Sequence, residues 1–184
     1  MIRLLLSFLL FSSGFLQAST RNHNQEDAKF EFSFGQSLMF ISDSDRAEVL
    51  ENNNLVIPTS SALLLAEMFL TENWNAFLVL NLPLASQKFI IDGQETHEKA
   101  NPSFLIGPSW TAYRTSLAER AGVEYQLGAL LGASLAENKE TTPLAVLAAR
   151  VNLISKQNST LYIGYSKTFG VNAATILYGV GHRY

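Results

Sequence analysis

The chain reads as all-β: an eight-stranded, up-and-down, antiparallel transmembrane β-barrel preceded by a cleavable signal peptide. Three observations predict it. Apolar residues make up 47% of the 184 positions and charged residues only 16%, against about 25% charged in an average soluble domain. Apolar side chains recur with period two near both ends of the exported region, as in a strand that shows different faces to different surroundings. The polar separators between these stretches alternate in length, the pattern of a meander with long connections at one end and short turns at the other.

Composition narrows the function classes. A formal net charge of −3 and no basic cluster argue against nucleic-acid binding. With zero cysteines, a disulfide framework, a thiolate metal site, a cysteine nucleophile and a lipid-modified N-terminal cysteine are all excluded. No apolar run beyond Lys29 reaches the eighteen residues expected of a spanning helix.

Residues 1–19 have the parts of a secretory signal: Arg3, an apolar run Leu4–Phe11, and small or polar residues leading to Gln17-Ala18-Ser19. The run is too short to span a bilayer as a helix. Export without cysteine fits a bacterial envelope better than a eukaryotic secreted domain. Residues 20–28 are polar and predict a flexible lead-in, and residues 29–184 form the barrel.

The first strand alternates Phe30, Phe32, Phe34, Leu38 and Phe40 with Glu31, Ser33, Gly35, Ser37 and Met39. Six more strands are expected at about 58–70, 76–87, 103–113, 120–135, 143–155 and 160–169. The last sets Ile176, Tyr178, Val180 and Tyr184 against Gly179, Gly181 and Arg183. One stretch carries a competing signal. Ser116 to Glu119 form a capping box, with Val123, Leu127, Leu130 and Leu131 at helical spacing. Gly122, Gly128 and Gly132 each cost a helix up to about 1 kcal/mol, so strand is preferred there.

Orientation follows from the less apolar face. It carries Gly, Ser, Gln and a few charges, among them Glu31, Glu67, Glu124, Arg150 and Arg183. These are too few to solvate the outside of a soluble barrel, and they suit a narrow interior in which carboxylates and guanidinium groups pair. Apolar side chains then face hydrocarbon. Trp74, Trp110, Tyr113, Tyr162, Tyr165, Tyr178 and Tyr184 near strand ends suit interfacial girdles. Asp43, Asp45, Glu48 and Glu51 in one long loop, and Asp92, Glu95 and Glu98 in another, read as solvated loop charge. A weaker reading is contact with divalent cations bridging lipid phosphates.

The C-terminal alternation of Ile176, Tyr178, Val180 and terminal Tyr184 resembles the closing-strand assembly signal of bacterial outer-membrane barrels, with His182 departing from it. Residues Ala66 to Asn75, with Phe69, Thr71, Glu72 and Asn73 before the apolar Phe77–Pro83, resemble the second hairpin of the OmpW-like family. Tyr178-Gly179-Val180-Gly181-His182-Arg183-Tyr184 resembles that family's ending. The resemblance implies a narrow eight-stranded, porin-like barrel passing small hydrophobic molecules, and it transfers no ligand-contacting residue. Phe89, Ile90 and Ile91 either line a surface opening or, the preferred reading, extend the third strand.

Chemistry finds little footing. The three histidines are His23 in the lead-in, His97 among acidic residues and His182 in the last strand, none beside a nucleophile in sequence. Neither HExxH nor a phosphate loop is present. No catalytic residue, metal site or cofactor is expected. The expected role is structural, surface contact or small-solute passage. The alternatives are an exported soluble barrel binding a hydrophobic ligand or protein, and a membrane-embedded lipid-modifying enzyme. Expected partners are outer-membrane lipids and lipopolysaccharide around the belt, and the barrel-assembly machinery at the C-terminal strand.

Overall fold

The computed structural model describes residues 28–41, 55–85, 87–91, 94–98, 101–118, 121–135, 141–169 and 173–184. The expected signal peptide, the lead-in apart from Ala28, His23, and the loop acids Asp43, Asp45, Glu48, Glu51 and Asp92 lie outside the described residues.

The strands are β1 (Phe30–Ile41), β2 (Leu55–Ile57), β3 (Thr59–Phe69), β4 (Trp74–Pro83), β5 (Gln87–Ile91), β6 (Gln94–Glu98), β7 (Ser103–Ala118), β8 (Ala121–Leu135), β9 (Thr141–Ser155), β10 (Ser159–Phe169) and β11 (Ala173–Arg183). Eight of them close a barrel in the order β1-β11-β10-β9-β8-β7-β4-β3. Every neighbouring pair in it is antiparallel. With β2, β5 and β6 set aside, spatial order follows chain order, which makes the meander expected from the sequence.

Short turns sit at one end. Thr71 Oγ1 accepts the backbone N–H of Trp74 at 3.0 Å, and the N–H groups of Leu70 and Thr71 both reach the Trp74 carbonyl at 3.0 Å. At the β9–β10 turn Asn158 takes φ 62°, a left-handed conformation that asparagine tolerates better than most residues. Its carbonyl accepts from Arg183 N–H at 2.9 Å, tying that turn to the last strand. The start of β1 and the end of β11 meet at this same end. Tyr184 N–H donates to the Phe30 carbonyl at 2.8 Å, and its own carbonyl accepts from Lys29 at 2.5 Å and Phe30 at 3.1 Å.

The other end holds a departure from expectation. Phe89 to Ile91 do not extend the third strand. They lie in β5, which pairs with β6 and β2 in a separate three-stranded sheet. Pro83, without an N–H, ends the barrel strand. The N–H groups of Leu84 and Ala85 then turn back onto the Ser60 carbonyl at 2.8 and 3.1 Å. The described part of the contested segment is strand: β8 pairs with β9 along its whole length and with β7 over most of it. At Gly132 a Cβ would collide with the Phe104 carbonyl oxygen of β7, so the glycine that weakens a helix here lets two strands approach.

The faces are inverted relative to a soluble barrel. Phe32 (58% exposed), Phe34, Leu127, Leu131, Leu147, Leu161, Ile163 and Val180 point outward, while glutamates and arginines are buried inside. Hydrated side chains that a soluble barrel needs on its exterior are replaced by a continuous apolar wall. An apolar patch of this extent matches hydrocarbon rather than water.

Candidate functional site: the layered lumen

Inward side chains follow one order on nearly every barrel strand. From the short-turn end, β3 presents Glu67, Leu65, Leu63, Ser61 and Thr59, and β4 presents Asn75, Phe77, Val79 and Asn81. β7 presents Thr111, Ser109, Leu105 and Ser103 on the same side. The lumen is therefore a stack: an ionic layer, an apolar layer, then a layer of hydroxyls and amides.

The ionic layer gathers all five charged residues singled out in the sequence, and adds Arg114. Glu67 Oε1 accepts from Asn75 Nδ2 at 2.8 Å, Ser109 Oγ at 2.9 Å and Gln126 Nε2 at 3.2 Å. Its other oxygen accepts from Arg150 Nη2. Arg150 also donates through Nε to Gln126 Oε1 at 3.0 Å. Arg183 bridges two carboxylates: Nε donates to Glu31 Oε2 at 2.7 Å, while Nη2 and Nη1 reach Glu124 at 2.7 and 3.2 Å. Arg114 Nε meets the same Glu124 at 2.7 Å from nearer the rim. Ser33 and Thr160 hydroxyls complete Glu31 at 2.9 and 3.2 Å. Arg150 Nη1 lies 4.0 Å from Glu31 Oε1, which links the two groups.

Three carboxylates thus face three guanidinium groups. Each carboxylate is within 4% of complete burial. Removing such groups from water costs several kcal/mol per ion, and only mutual pairing with hydrogen bonds at the remaining lone pairs offsets that. Register explains the meeting. Glu31 stands opposite Arg183 on one side and Glu67 on the other, and Gln126 stands opposite Arg150.

Above this layer Leu63, Leu65, Phe77, Val79, Leu105, Leu130, Leu144, Val146 and Tyr162 form one buried cluster contributed by six strands. The expected interior of glycine, serine and sparse ions is corrected by this apolar layer. The reason is visible in β3 and β4, where Leu63-Leu64-Leu65 and Phe77 to Leu80 are apolar on both faces, so alternation carries no inside signal. Arg150 forms the boundary. Its guanidinium carbon lies 4.8 Å from the Phe77 ring centre and 5.5 Å from that of Tyr162, within cation–π range.

Tyr162 is the second correction. Expected at an interfacial girdle, it is 1% exposed and lies inside the lumen over the neighbouring strands β11 and β1. Gly35 and Gly179, paired across β1 and β11, make room for it, since a Cβ at either would strike the Tyr162 hydroxyl. Trp74, Trp110, Tyr165, Tyr178 and Tyr184 do face outward, with Trp74 and Trp110 side by side in register. Ile176 and Val180 are outward as well, and Tyr184 packs edge-on against Phe32 at 6.1 Å and His182 at 4.8 Å. His182 therefore looks away from the buried carboxylates.

Several members of the ionic layer escaped the sequence reading. Arg114 and Asn75 lie in stretches expected to be turns, because β7 and β4 extend beyond their alternating cores. Gln126 shared a face with Glu124 in sequence, and that shared face was the available signal.

No family model matches the chain, and no curated protein matches it. Among solved structures it is similar to the Yersinia pestis outer membrane protein Ail in a phospholipid bilayer nanodisc, with 13% identity over 86% of this chain and 100% of that one, at a TM-score of 0.49. It is also similar to the crystal structure of Ail, the attachment invasion locus protein of Yersinia pestis, with 13% identity over 85% and 96% of the two chains and a TM-score of 0.38. The crystal structure of Ail with the heparin analogue sucrose octasulfate gives 12%, 85%, 96% and 0.37 in the same order.

Proposed function

We propose that the protein is a bacterial outer-membrane barrel with a sealed lumen, acting by contact at its surface, where the long connections carry the β2-β5-β6 sheet. The apolar layer carries this reading. Eight strands leave an interior only just wide enough for side chains, and here that interior holds Phe77, Leu130, Leu144 and their neighbours on top of a neutral ion cluster. On six of the eight barrel strands this layer interrupts the polar lining between the ionic layer and the hydroxyls and amides. The outward apolar wall supports a membrane location, and residues 1–19 support export to it.

Two measurements test this. The folded protein, recovered from outer membranes, should migrate differently on a gel before and after boiling. Reconstituted in planar bilayers it should give no steady conductance, whereas an open ion channel would overturn the sealed reading. The OmpW-like sequence resemblance favours a second reading, passage of small hydrophobic molecules, which the apolar lumen layer also suits. In that case vesicles containing the protein would take up an apolar dye faster than empty vesicles.

A further inference from the structure

On the lipid side of β1 the outward residues run Phe30, Phe32, Phe34, Gln36, Leu38 and Phe40, so a single amide stands among apolar side chains. Gln36 is paired with Tyr178 across the seam that closes the barrel, and the Tyr178 hydroxyl donates to Gln36 Oε1 at 2.7 Å. Both side chains are exposed. The bond satisfies the phenol and one lone pair of the carbonyl. The two N–H groups of Nε2 have no acceptor among the described residues. Hydrocarbon offers none either, so this position is costly for a barrel surrounded by lipid alone. On its other side Gln36 is paired with Ala62, and Leu38 with Ser60, so the wall beside the amide is low.

We infer that this face of β1 and β11 is an interface with a second copy of the chain inside the membrane. The inference rests on the membrane-barrel reading above. An amide is self-complementary: across a two-fold axis each Gln36 Nε2–H can donate to the other copy's Gln36 Oε1, while Tyr178 keeps its bond to the remaining lone pair. The low relief at Ala62 and Ser60 lets two walls approach closely, as small residues do in other membrane interfaces. Lipid tails fit the shape of the patch and leave both N–H groups unpaired; a second copy gives each amide an acceptor for one of them while keeping the fit.

The absence of cysteine from the chain makes the test clean. Single variants Leu38→Cys, beside Gln36 on the same face of β1, and Leu127→Cys, on β8 at the opposite wall, are oxidised in reconstituted bilayers with the amide intact. Leu38→Cys should give a covalent dimer several-fold faster, and equal rates would overturn the interface. In a dilution series in bilayers, Gln36→Leu should associate about tenfold more weakly than the unaltered chain, the effect of losing two membrane hydrogen bonds. Unchanged association, or an unaltered chain that is monomeric at every density, would also overturn it. Gel migration before and after boiling separates the two readings: if it shifts normally while dimerisation fails, only the interface falls, and if the unaltered chain shows no shift, the barrel reading falls first.

Discussion

The two halves of the lumen solve one packing problem with different chemistry. Toward the short turns the interior is filled by long charged side chains, most of them fixed by two or more partners. Next to it, below the hydroxyls and amides near the long connections, it is filled by leucine, valine and phenylalanine, whose contacts are non-directional. The ionic half gains geometric definition and is fragile to the loss of one partner. The apolar half tolerates substitution in proportion to the volume removed.

That contrast can be broken experimentally. Arg150→Leu leaves Glu67 buried without its cation and should lower stability by about 3–5 kcal/mol in denaturant unfolding of the refolded barrel. A change under about 1 kcal/mol would mean that Asn75, Ser109 and Gln126 suffice for Glu67. Leu130→Ala removes a side chain 3% exposed from the apolar layer and should cost about 3 kcal/mol, since the surrounding strands cannot fully collapse into the space. If the apolar variant proves the more damaging of the two, the ranking of the halves is reversed. Ser33→Ala deletes one hydrogen bond to Glu31, which keeps Arg183 and Thr160, and should cost about 1.5 kcal/mol by the same assay. Smallest is Arg114→Ala. Arg114 is the most exposed of the three arginines and Glu124 retains Arg183, so about 1 kcal/mol or less is expected.

Legibility in the sequence followed the same division. Where one face is polar and the other apolar, as in β1 and β11, alternation identified strand, face and partner chemistry together. Glu31, Glu67, Glu124, Arg150 and Arg183 stood out because a charge in an otherwise greasy barrel strand has few places to go. Where both faces are apolar, as in β3 and β4, period two vanishes and the filling of the lumen is hidden. Tyr162 was hidden differently. Its inward position depends on Gly35 and Gly179, which lie on other strands and become its neighbours only through register. The β5–β6 hairpin was masked by apolar residues following Pro83, a proline that does stop the barrel strand.

The pairing of β1 with β11 has a consequence for the order of construction. β1 holds one of its two ladders with β11, the barrel strand farthest from it in sequence. Until synthesis and delivery of the last strand are complete, the phenylalanine-rich β1 keeps a bare edge, able to recruit any extended segment nearby. Closure is then a late, non-local event, slow for reasons of chain entropy. Escort of the unfinished sheet matters most at that moment, because only β11 can end the exposure.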